Sequence, residues 1–263
     1  MKCLILPSIG EHLINPARKL GQTWYMVGSV IFWLFRSKLE FRQIVKQTTR
    51  IGVDSVSVTT LTSLFTGMVL ALQSGYSSKS LFNEPLYVGS VVGFSLVKEL
   101  GPVLTAIVVA GRAGAAVTAE IGTMKVTEQI DALYTLGTNP SRYLLIPRYF
   151  AFMIALPLLT VFSDFIGITG GFIVSVVKLR VASSVYWDDI FMYMEIKNFM
   201  HGFIKSFFFA FIIATVSCYK GLHTEGGAQG VGMATTESVV SSMVLIMAVD
   251  YFVSALLVSI GIT

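Results

Sequence analysis

Lys98 and Glu99 stand side by side in an otherwise apolar stretch, SLVKELGPVLTAIVVAGRAGAA. Ionisable side chains are costly at membrane depth and mark a binding or transport pathway unless a partner satisfies them. Neighbours on a helix point about 100° apart, so these two cannot form a well-faced pair with each other. Each must find water, a ligand group or another helix. A water-accessible cavity beside this segment is one solution, and polar groups on adjacent helices, such as Gln73 or Asp164, are the other. Pro102 follows Gly101 and removes a backbone donor, so a kink or break is expected there, with freed carbonyls that only a neighbouring helix or a cavity can satisfy.

Other chemistry is sparse. There is no GxxxxGK[ST] phosphate loop, GxGxxG turn, HExxH zinc motif or GxSxG nucleophile elbow. Any ATP that drives this protein must therefore be bound by another chain, and no cofactor site is expected in this one. Cys3 and Cys218 lie too far apart in sequence to suggest a CxxC metal or redox site or a disulfide framework. His12, His201 and His223 are scattered at segment ends and read as solvated or interfacial residues rather than metal ligands. Asp54, Asp164 and Asp250 belong to three other apolar segments, where they serve as helix–helix contacts.

The elements that must position these residues are membrane helices. Of 263 residues, 54% are hydrophobic and only 13% are charged, against about 25% in a soluble domain. Mean hydropathy is +0.74. A water-exposed globule and a disordered chain are excluded. Stretches of roughly 20 apolar residues are needed to span a bilayer. Five qualify, near residues 51–74, 86–110, 144–177, 202–219 and 239–262. Residues 1–50 form an N-terminal interfacial segment, and 51–263 form the transmembrane domain. Within the former, Leu20–Phe35 is short, aromatic and basic at both ends, which suits a helix lying in the interface better than a sixth span. The expected fold is an all-α integral membrane protein of five transmembrane helices preceded by that interfacial helix.

Charge sets the orientation. Residues 1–50 carry a net +6 of the overall +4, leaving −2 for the rest. A surplus gathered at one end suits a membrane surface rather than nucleic acid. With the N-terminus inside, thirteen basic residues fall on the inner side, and only Lys79, Lys178, Arg180 and Lys197 fall outside. Between the second and third spans, Ala119–Pro140 is too polar to cross. Val126, Ile130, Leu133 and Leu136 fall near helical spacing, Thr123 is placed to cap, and Gly137 followed by Pro140 is placed to stop. A short amphipathic inner helix is predicted. The outer connection 178–201, rich in Tyr186, Trp187, Phe191, Tyr193 and Phe199, reads as an aromatic belt.

Three blocks in order, KELGPVLTAIVVAGRAGAAVTAEIGTMKVTEQIDALYTLGTNPSRYLLIPR, LPLLTVFSDFIGITGG and GGAQGVGMATTESVV, resemble the MlaE (YrbE) permeases, membrane subunits of ABC transporters that work with MCE-domain proteins in lipid trafficking. The similarity runs over nearly all of the chain from about Phe41. It implies a homodimer paired with two cytoplasmic ATPase subunits that hold ATP and Mg, an MCE-domain partner on the outer side, and a bacterial inner-membrane location, or a plastid inner envelope. It also implies that the helix from Glu120 to Leu136 docks into the ATPase, which points to Glu120, Lys125, Glu128 and Asp131. The family's lipid cavity, lined by the first two spans, maps onto Leu70, Gln73, Lys98 and Glu99, with Gly101 and Pro102 as the bend. Two departures stand out. Lys98 takes a place where arginine is common, losing the planar fork that grips phosphate at two points, and Met233 stands where a basic residue is frequent.

The expected function is a permease moving phospholipid or a related hydrophobic substrate between membranes. A small-solute permease or channel and a non-transport membrane scaffold are the rival readings.

Overall fold

The computed structural model describes residues 5–36, 40–82 and 87–261, and all regular structure in them is helical. Five helices are long and apolar enough to cross a membrane: Phe41–Leu81, Val88–Val126, Ser141–Val177, Ile196–Leu222 and Gly227–Ser259. They are called here the first to fifth spans. Ile5–Arg36 precedes them as a single helix that is not among the five. It lies against the start of the third span and the fourth span, burying Met26, Val27 and Val30 and leaving Trp24 and Tyr25 exposed. The Tyr219 hydroxyl donates to Gln22 Oε1 at 3.1 Å.

Every predicted span is present, and most are longer than predicted. The first-span helix runs from Phe41 to Phe82, so no break separates an interfacial segment from a transmembrane domain at residue 50. The second continues past 110 to Val126, and at Gly114 the fourth span lies close against it, a Cβ there falling 3.1 Å from Ser217 Oγ. The predicted bounds Leu86 and Ile262 fall outside the described residues.

The predicted kink at Pro102 takes another form. Leu96–Leu100 is a π turn, in which the Gly101 N–H reaches back to Leu96 O, and an α-helix resumes with Pro102 in its first turn. The wider turn takes up the missing donor without breaking the rod. A second π turn covers Ala110–Gly114 and contains Arg112.

Glycine permits the closest approaches. A Cβ on Gly67 would lie 1.8 Å from the Gly167 carbonyl oxygen, and one on Gly202 would lie 2.0 Å from Val97 O. The first span thus meets the third backbone to backbone, and the fourth meets the second in the same way, as small-residue contacts permit in membranes. Ser63 and Ser163 hydrogen-bond beside the first of these contacts. Two apolar cores result. The larger is built on Phe152, Leu156, Phe209 and Ile213; the smaller gathers Val92, Leu96, Tyr186 and Ile190.

The aromatic connection is more than a belt. Its helix, Ser183–Tyr193, folds back onto the bundle, with Tyr186 wholly buried and its hydroxyl donating to Ile168 O at 3.0 Å. Gly89 and Gly93, four residues apart on the second span, serve this contact: a Cβ on Gly89 would lie 2.3 Å from Tyr186 O. Partial burial raises the Asp189 carboxyl above its usual range, Asp188 adds to the rise, and a hydrogen bond from the Gly89 backbone opposes it.

Candidate functional site

The π turn presents Glu99 to the fourth and fifth spans. Lys205 Nζ lies 2.6 Å from Glu99 Oε2 and 2.9 Å from Asp250 Oδ1, and the Ser254 hydroxyl lies 3.4 Å from Glu99 Oε1. The Lys205 side chain has no solvent exposure, whereas Glu99 keeps 44% of its own. The cluster is therefore closed on the lysine side and open on the Glu99 side. His201, one turn before Lys205, is also fully buried, which corrects its placement as a solvated or interfacial residue at a segment end: the fourth span begins at Ile196 and packs this face inward. Among the described residues no group of three or more His, Cys, Asp or Glu is arranged to hold a metal ion.

Of the two partners expected from sequence for Lys98 and Glu99, neither Gln73 nor Asp164 bonds to them. Gln73 is exposed. Asp164 is buried against Gly101, where a Cβ would come within 1.7 Å of its Oδ1. Lys98 leaves the charged cluster and places Nζ 4.6 Å from the centre of the Phe94 ring, a cation–π contact. Leu70 packs on the smaller apolar core.

Lys205 was missed by the sequence reading. The signal was available: a lysine inside HGFIKSFFFAF is as anomalous as Lys98 by the same cost argument.

The opposite end of the bundle carries most of the bases. Glu120 Oε2 accepts from Arg50 at 3.0 Å and its Oε1 lies 3.2 Å from the buried Arg148. Arg112 donates to the Ser55 hydroxyl and to the carbonyls of Arg50 and Ile51, tying the second span to the first. The predicted amphipathic helix is divided. Thr123 caps nothing, since it lies inside the second span and bonds back to Ala119 O. The break comes at Glu128, which holds a left-handed φ of 59°, and the short helix is Gln129–Thr135. It stops as predicted: Thr138 N–H bonds to Leu133 O and Gly137, at φ 71°, bonds to Tyr134 O, a Schellman closure. Lys125 Nζ meets both Asp131 oxygens at 3.3 Å, bracing the short helix against the second span.

A bundle of five helices long and apolar enough to cross a membrane, with an ion cluster where three of them meet, defines a multi-pass membrane protein. The family model for permease MlaE matches residues 44–256. A probable ABC transporter permease protein of Rickettsia bellii (strain RML369-C) is 44% identical over 252 residues, covering 96% of this chain and 97% of its own. The intermembrane phospholipid transport system permease protein MlaE of Haemophilus influenzae is 34% identical over 257 residues, covering 97% and 98%. A probable ABC transporter permease protein of the cyanobacterium Synechocystis is 36% identical over 240 residues, 91% of each chain. The chain belongs to the MlaE permease family, and is a transport component rather than an enzyme.

Proposed function

We propose that this chain is the membrane half of an ABC transporter that moves phospholipid between membranes, working as a homodimer with ATP and Mg held by separate ATPase chains. The observation that carries the reading is the partly open ion cluster on Glu99, set in a family whose Haemophilus member is named for phospholipid transport. Only 28% and 17% of the most apolar windows of the first and fifth spans are buried within the protomer, against 61% for the third. Those two spans are thus left to face lipid or a second copy. The cavity residues are Leu70, Gln73, Lys98 and Glu99, with Gly101 and Pro102 fixing the turn that aims Glu99.

The basic end is read as cytoplasmic by the positive-inside rule, and the reading is a bacterial inner-membrane protein with its N-terminus inside and its C-terminus outside. An MCE-domain protein meets the outer surface. The ATPase docks around Gln129–Thr135, with Glu120, Lys125, Glu128 and Asp131 at or behind the contact. Two clefts of about 650 and 640 Å³ flank Tyr134 on this end, between the N-terminal helix and the short helix. They give a partner room to grip.

Two outcomes follow. Glu99→Gln combined with Lys98→Ala is expected to lower ATP-driven lipid transfer in reconstituted liposomes by about tenfold or more, the scale of one charge-assisted hydrogen bond; wild-type transfer would remove the cavity assignment. Asp131→Arg turns the Lys125 contact from attraction to repulsion. Co-purification of the ATPase, or its turnover in the complex, should fall at least about fivefold for a coupling of 1 kcal/mol, and unchanged values for both would remove the lever.

A further inference from the structure

The basic end holds a second site, between the first and third spans and away from the ion cluster. A polar cleft of about 400 Å³ is lined by Arg42, Lys46 and Gln47 from the first span and by Arg148 and Tyr143 from the third. Arg148 is 3% exposed. Its Nη1 donates to Leu144 O and its Nη2 meets Glu120, but its buried Nε has no partner. Gln47 Oε1 in the same cleft is likewise buried and unsatisfied. A buried guanidinium N–H left unmade is costly, and two such groups of opposite polarity in one cleft call for a ligand with an anion and a hydroxyl. Glu120 also lines the cleft, but Arg50 and Arg148 already hold it, so Arg42 and Lys46 leave the site cationic.

Further along the same two spans lies a second, apolar cleft of about 290 Å³, lined by Gly52, Val53, Val56, Ala155, Leu158 and Phe162. From Lys46 to Val56 is ten residues, about 15 Å of helix. Val53 and Leu158 are each 63% exposed. A basic polar cleft followed, at about that distance along the same two helices, by an apolar one matches one kind of molecule in a membrane.

We propose that this track binds an anionic phospholipid of the basic-end leaflet, with its phosphate on Arg42, Lys46 and Arg148 Nε, a headgroup hydroxyl on Gln47, and an acyl chain between Val53 and Leu158. The lipid is a bound companion of the first and third spans, separate from cargo at Glu99. Basic pockets between membrane helices recognise acidic headgroups in this manner. An inorganic or nucleotide phosphate would use the head of the site but not the apolar cleft.

The test uses the full chain in nanodiscs of mixed phosphatidylglycerol and phosphatidylcholine, extracted and weighed by native mass spectrometry. The wild type should retain phosphatidylglycerol in preference to phosphatidylcholine. Arg42→Ala with Lys46→Ala, both exposed and safe for folding, should weaken phosphatidylglycerol retention about thirtyfold at two surface charges, with phosphatidylcholine unchanged. Leu158→Trp, which fills the apolar cleft and leaves the bases intact, should weaken it as well. Equal retention of the two lipids, or retention unmoved by the double alanine variant, would overturn the proposal. So would displacement of phosphatidylglycerol by 10 mM inorganic phosphate (roughly a free-anion site's working range) together with indifference to Leu158→Trp, which would assign the site to a soluble anion.

Discussion

Lys205→Met is expected to destabilise the protein by about 3–5 kcal/mol, the usual cost of removing one partner from a buried ion pair. Lys205 bridges Glu99 and Asp250, at 2.6 and 2.9 Å. Without it two carboxylates face one another across the meeting point of three spans. Asp250, with a side chain 21% exposed, bears more of the cost than Glu99, which can turn to water. The measurement is thermal unfolding of the detergent-solubilised protein, followed by folded yield. Adding Glu99→Gln and Asp250→Asn to Lys205→Met should recover most of the loss, since replacing a whole buried ionic cluster by neutral groups is often close to neutral. A single variant as stable as the wild type would show that the cluster does not hold these spans together. The triple variant also separates stability from transport: it should fold and yet move lipid poorly.

Gly67→Ala is expected to cost about 3 kcal/mol or more, at or beyond the upper end for overpacking. The new methyl would lie 1.8 Å from the Gly167 carbonyl oxygen, and the obstacle is backbone, which cannot rotate aside as a side chain can. Relief requires the first and third spans to separate along their main contact, which also strains the Ser63–Ser163 hydrogen bond. Gly28→Ala is the matched control. It adds the same methyl to a helix where nothing lies within 4 Å, and should be neutral or gain about 0.5–1 kcal/mol from the better helix former. Equal melting of the two variants would remove the close-contact account.

Much of this architecture is legible in the residues, for physical reasons that differ by element. The five spans can be read because about 20 apolar residues in a row have no other stable home in water. The end of the short helix can be read because Gly137 accepts a left-handed φ at no steric cost. Its start cannot: the chain breaks at Glu128, and a non-glycine residue at positive φ carries no marker in sequence. The ion cluster is half legible. Glu99 and Lys205 each stand out as charges in apolar runs, but their pairing joins positions 106 residues apart and depends on how two helices approach through Gly202. The roles of Arg112 and Arg148 were hidden for a related reason. Both fall among the inner-side bases in sequence, whereas in the fold Arg112 is spent on first-span carbonyls and Arg148 is buried at 3% exposure.

The two π turns of the second span have a consequence for its azimuth. Each takes up about one residue more than an α turn, and one residue of α-helix is about 100° of rotation. The turn at Leu96–Leu100 therefore resets the phase of everything after it. Were that segment to tighten to α geometry, either Glu99 would swing away from Lys205 or Arg112 would swing away from Ser55, because the faces carrying them would no longer be in register. The span is keyed at two levels of its length, to Lys205 through Glu99 and to the first span through Arg112, so its rotation about its own axis is fixed at both.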